Sequence, residues 1–211
     1  MKRLFLTSSA RKVIKNIARE IGTVKGMKLA FIYTPAEFKK GGINWQDEDR
    51  TSLTDVGFEV FDYTITGKSK DQIKKDLDFC DVIFFSGGNQ LYTLEKLQET
   101  GSLPVFRSFV QKGKIFIGAS GGAMIFGPDL YCTYRPDIEN EVGGLKLKNY
   151  KGLGLVNFVI FPHWGSEKFK DKYFGFRLKH AYTPNDKIIL LTNYQYVEVV
   201  DDWYRIVEVK H

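Results

Sequence analysis

Residues 114–129 read KIFIGASGGAMIFGPD. Ile115–Gly118 form a short apolar run. Ser120 follows two positions after Gly118, and GGAMIF beyond it can open a helix. A strand whose consecutive residues are apolar, with no polar alternation, is one covered on both faces, as in a mostly parallel sheet flanked by helices. VIFF at Val82–Phe85 and FVIF at Phe158–Phe161 are runs of the same kind. The first passes into Ser86-Gly87-Gly88-Asn89, the second into Pro162-His163-Trp164.

On either side the pattern repeats. Further strands are expected at Arg3–Leu6, Lys28–Tyr33 and Glu59–Tyr63, and helices at Ser9–Ile21, Ser69–Phe79 and Asn89–Gln98. Ser9–Ile21 sets Val13, Ile14, Ile17, Ala18 and Ile21 on one face. Near the end, Ile188–Thr192, Tyr196–Val200 and Tyr204–Val209 crowd together, with Asp201-Asp202 as a turn, and predict a small antiparallel addition. Strands alternating with helices give an α/β fold with a mostly parallel central sheet. With no repeat or linker in sight, residues 1–211 are read as one domain.

Composition excludes several classes. Hydrophobic residues make up 43% and charged residues 27% of the 211 residues, ordinary for a globular protein. No run approaches the roughly 18 apolar residues of a membrane span. The opening MKRLFLTSSARK resembles a secretory leader, but Leu4, Phe5 and Leu6 fall short of the roughly 7–15 apolar residues a leader needs. A cytoplasmic protein without a membrane partner is expected. The net charge of +6 is dispersed over Arg11, Lys12 and Lys15, Lys74 and Lys75, and Lys168, Lys170 and Lys172, each group on a helical face in solvent. Nucleic acid is therefore not an expected partner. Cys80 and Cys132 lack metal-site spacing relative to each other or to His163, His180 and His211, and read as buried thiols. No metal or cofactor is implied, because neither H-E-x-x-H nor a clustered ligand set occurs.

In open α/β sheets, ligands collect at the carboxyl ends of the strands. Gly118–Gly122 there is a G-x-S-x-G pattern, a weak signal alone but one set between a strand and a helix start. Two readings stay open: a glycine-rich turn that packs tightly, or a serine nucleophile exposed on a strained elbow. In the second, the Gly121 N–H is a candidate oxyanion donor and Gly87-Gly88 supplies the other, with Asn89 as N-cap of the next helix. A phosphate loop is disfavoured for want of a G-K-[ST] ending. A serine hydroxyl needs a base. His211 is the last residue, His180 lies in the polar RLKHAY, and His163 stands at a strand end on the edge that carries Ser120. His163 is the candidate partner.

With these residues in view, the chain resembles the S51 serine peptidases, a family that includes aspartyl dipeptidases and the more distant cyanophycinases. The resemblance is carried by RLFLTSS, by GGN at Gly87–Asn89, by GASGGA at Gly118–Ala123, by Pro162-His163 and by LTNYQYVEV. It implies a three-layer sandwich like that of the class I glutamine amidotransferases. It also implies cofactor-free hydrolysis after an N-terminal aspartate, on a small peptide, by a monomer or homodimer. Ser120 would be the nucleophile, His163 the general base, and the N–H groups of Gly88 and Gly121 the oxyanion hole. Where the aspartyl dipeptidases have a glutamate to orient the histidine, this chain has Asn193. Asp129 and Asp137 are the carboxylates that would serve instead. Arg177 is the expected grip on the substrate carboxylate, with Arg135 second, and Asn89 lines the same site. A hydrolase of other amide or ester specificity, or a silent protein binding a small acidic ligand, stands as the alternative.

Overall fold

The apolar runs form strands because helices cover both sides of them. In the computed structural model, which describes residues 1–37, 44–133, 144–184 and 187–210, a seven-stranded sheet runs through the molecule. Its strands are β1 (Arg3–Thr7), β2 (Lys28–Ile32), β3 (Glu59–Tyr63), β4 (Val82–Phe85), β5 (Ile115–Ala119), β8 (Gln195–Val200) and β9 (Trp203–Glu208), in the order β3-β2-β4-β5-β1-β8-β9. The first five are parallel; β8 adds antiparallel to β1, and β9 antiparallel to β8.

The two-residue period of the strands divides the core in two. Leu4, Leu6, Ile83, Phe85 and Phe116 point to one face, where α3 (Lys70–Leu77), α4 (Gln90–Glu99) and α5 (Leu103–Gln111) cover them. Phe5, Phe31, Phe84 and Ile117 point to the other, under α1 (Ala10–Ile21) and α2 (Asn44–Asp55). The first face is rich in rings: Phe85 meets Phe106 at 5.1 Å and Phe126 at 6.0 Å, both edge-on. Burying a side chain of this size stabilises the fold by about 2–3 kcal/mol.

Two expectations are corrected here. The strand expected at Phe158–Phe161 is not in the main sheet. It forms β6 (Val159–Pro162) and pairs in parallel with β7 (Ile188–Leu191) as a separate two-stranded sheet in the layer of α3–α5. The 188–192 segment is thus a parallel partner, not part of the antiparallel addition. The reason lies between the two strands. Parallel pairing needs a long crossover, and α7 (Glu167–Lys172) with the helical turns running on through Ala181 provides it. The helix after the elbow is also short: α6 spans only Gly121–Met124.

Candidate active site

Parallel order brings the chemistry together. β4, β5 and β1 are adjacent, so the turns after their carboxyl ends, at Gly87-Gly88, Ser120 and Ser8, are neighbours. β8 runs antiparallel to β1 with Thr7 opposite Tyr196, so the turn that leads into it sets Asn193 at the same end. β6 delivers His163 from the second sheet. These residues line a cleft of about 600 Å³.

Ser120 sits at φ 50°, ψ −119°. A residue other than glycine held there stores about 1–3 kcal/mol of strain, offset by the surrounding structure. The Ser120 N–H donates to Thr7 O at 2.9 Å, tying the elbow to β1. The hydroxyl is not spent on capping α6 and stands 2.8 Å from His163 Nε2. His163, also at positive φ (65°), stacks on Phe169 with ring centres 4.4 Å apart. On its far side, Nδ1 lies 2.6 Å from Asn193 Oδ1. Since an amide oxygen only accepts, Nδ1 carries the proton and Nε2 is left with its lone pair toward Ser120.

Gly121, the first residue of α6, has an N–H that no helical carbonyl can take. Gly88 sits at φ 146° with its backbone against Pro35, where a Cβ would collide with the carbonyl and stand 2.8 Å from Ala36 N. A Cβ on Gly121 would in turn collide with the Gly88 carbonyl. The two candidate oxyanion donors therefore belong to touching segments of main chain beside Ser120. Asn89 caps α4, its Oδ1 accepting from Leu91 N at 2.9 Å and Tyr92 N at 3.0 Å, and it too lines the cleft.

Charge in the cleft is one-sided. Arg11, Lys12, Lys168, Lys172 and Arg177 line it, with Asp49 opposing them. Arg177 is only 6% exposed, its guanidinium over the rings of Tyr173 (5.3 Å) and Phe161 (5.9 Å). Asp49 is a buried carboxyl that accepts from Arg11 N at 3.1 Å, and burial pushes its pKa up to about 6 despite the Arg11 charge. Nothing in the polar run DEDR distinguished it, because only the packing of α2 on α1 buries it. Ser8 was likewise missed, and it turns out to be buried at the centre of the site.

Asp129, one of the two carboxylates offered as alternatives to Asn193, does not meet His163. Asp129 accepts from Tyr131 N and pairs across a bridge with Lys151. Asp137, Arg135, His211 and the His180 side chain lie outside the described residues. Among the described residues no cluster of three or more metal-ligating side chains occurs, and no helix is long and apolar enough to cross a membrane.

Burial lowers the His163 pKa below its ordinary 6.5. Arg177, Arg11 and Lys168 push the same way, and the Asn193 bond opposes them. The neutral, proton-accepting ring therefore persists to below pH 6.5, so the acid limb of kcat/KM is expected below that value. Folding shows the matching sign. The unfolded chain takes up the histidine proton first, so stability contributed by the neutral ring falls as pH drops from 6.5 toward the folded value. A pH–rate profile with its acid limb above 6.5 would contradict this assignment.

Comparison with known proteins places these observations. Residues 4–207 match the model of peptidase family S51. An uncharacterized peptidase of Listeria innocua is 28% identical over 202 residues, covering 96% of this chain and 94% of its own. Peptidase E of Streptomyces coelicolor is 28% identical over 170 residues, 78% of this chain and 64% of its own. A crystal structure of a candidate peptidase E protein from Listeria monocytogenes superposes with a TM-score of 0.88 at 25% identity, covering both chains in full.

Proposed function

The chain belongs to peptidase family S51, and from there we propose that it hydrolyses short peptides after an N-terminal aspartate, through an acyl-enzyme on Ser120. The observation that carries this reading is the 2.8 Å contact between the strained Ser120 and the Nε2 lone pair of His163. His163 takes the hydroxyl proton as Oγ bonds to the substrate carbonyl carbon. The oxyanion is held by the N–H groups of Gly88 and Gly121. The imidazolium then gives its proton to the leaving amine, the peptide C–N bond breaks, and water repeats the sequence to release the acid.

Asn193 orients the ring without offsetting imidazolium charge. In a serine protease, replacing the triad aspartate by asparagine lowers turnover by about four decades, largely because the ring adopts the wrong tautomer. Here the amide oxygen favours the right one, so the penalty is confined to the missing charge and is smaller. The same asparagine is what would favour a weakly active or silent protein.

Selectivity for aspartate rests on the one-sided charge of the cleft, with Arg177 as the buried cation that meets the carboxylate. A panel of X-Leu dipeptides, X being Asp, Glu, Asn or Ala, tests this. Asp-Leu should be cleaved fastest. Arg177→Met should lower its kcat/KM by about two decades and leave Ala-Leu unaffected, since a desolvated charged hydrogen bond carries that much. Equal rates across the panel would remove the aspartate assignment. A folded protein that cleaves no dipeptide and is not labelled on Ser120 by a fluorophosphonate would remove the peptidase mechanism.

A further inference from the structure

A carboxamide can turn end for end with almost no change of shape, and for Asn193 the two orientations have opposite chemical consequences. With Oδ1 toward His163, the ring holds its proton on Nδ1 and can accept one from Ser120. With Nδ2 toward it, Nδ1 must accept, the proton sits on Nε2, and the ring donates to Ser120 instead. A carboxylate at this position would present an acceptor either way. An amide needs something to select its orientation.

Ser8, at the end of β1 and 1% exposed, touches both partners. Its Oγ accepts the His163 main-chain N–H at 2.7 Å. It also stands 3.1 Å from Asn193 Oδ1 and 3.4 Å from His163 Nδ1. The hydroxyl has one hydrogen to give, and in the observed arrangement it goes to Asn193 Oδ1, so the Ser8 hydroxyl, the His163 main-chain N–H, the Nδ1 proton and Asn193 Oδ1 are all bonded. Turning the amide would aim an N–H group at both Nδ1 and Ser8 Oγ. The hydrogen of the buried Ser8 would then have no acceptor among these three side chains, a loss of the kind that costs more than an ordinary hydrogen bond gains.

We infer that Ser8 is a positioning residue that selects the Asn193 orientation and thereby holds His163 in its base-competent tautomer. The inference rests on the Ser120–His163 chemistry proposed above. It assigns to the end of the first strand a task that the amide at 193 creates.

The test is a double-mutant cycle read in two ways. Ser8→Ala should lower kcat, and the rate of Ser120 labelling by a fluorophosphonate, by about tenfold or more with KM little changed. In the Asn193→Asp background, where the acceptor cannot be turned away, the same substitution should cost no more than about threefold. Equal losses in both backgrounds would mean that Ser8 only braces the turn at His163, and would overturn the inference. So would an unchanged labelling rate in Ser8→Ala. Nitrogen-15 shifts of the His163 ring, assigned by their loss in His163→Gln, should report Nδ1–H in the native protein. An Nε2–H ring would overturn the inference even if Ser8→Ala does not fold. The labelling rate and the ring shifts need no peptide, so they stand apart from the aspartate assignment.

Discussion

Ser120→Ala should lower peptide hydrolysis by about five to six decades, the cost of removing a nucleophile that acts as a unit with its base. What remains should be the small acceleration due to the oxyanion hole and substrate binding. The fold should be nearly untouched. The side chain caps no helix, among the described residues its Oγ bonds only to His163, and alanine can hold the same backbone at similar strain. Urea unfolding should therefore give a midpoint close to that of the native protein. Loss of activity with native stability is the informative result, because a serine that merely completes a tight turn would produce no such division. Retention of even a hundredth of the native rate would mean that Ser120 is not the nucleophile.

Gly88→Ala should show the reverse division, with stability and activity failing together. The Cβ would run into the Pro35 carbonyl, which accepts the Asn89 N–H at 2.7 Å and so cannot easily retreat. The φ of 146° adds strain for any side chain. Together these should cost about 4 kcal/mol or more. Whatever fraction folds would carry the Gly88 N–H out of line with Ser120, lowering kcat by a further two to three decades, as loss of an oxyanion donor does. Denaturant melts and single-turnover rates on the folded fraction separate the two effects. A variant within about 1 kcal/mol of native stability and fully active would exclude Gly88 from the oxyanion site.

The parts of the molecule that could be read from sequence are those whose signal is local. β4 and β5 announce themselves because burial on both faces demands unbroken apolar runs, and the turns after them carry glycine because main chain passes against main chain. His163 stood out because Pro162 ends a strand just before it. Asn193 was reached through family resemblance rather than from its own neighbourhood. The rest depends on contacts between distant residues. Whether residues 188–191 pair parallel or antiparallel is settled by the crossover before them, and nearness in sequence to β8 suggested the wrong partner. Asp49 and Ser8 belong to ordinary polar stretches, and only tertiary packing buries them. α5 did carry its own signal, with Val105, Phe106, Phe109 and Val110 on one face behind Pro104, and went unread because it follows so closely on α4.

The separations within the site place it late in the history of each molecule. The Ser8–Asn193 hydrogen bond joins residues 185 positions apart, and the Ser8–His163 bonds span 155. Such closures come after local structure, because chain entropy must be surrendered before the contact repays it. During synthesis, the β1–β5 core with its elbow can fold while the residues of β8 are still within the ribosome. Ser120 would then be exposed, yet its base would lack the acceptor that sets its proton. On the proposed chemistry, a peptidase assembled in this order would stay inert beside other unfinished chains until the segment around residue 193 had closed against the first strand.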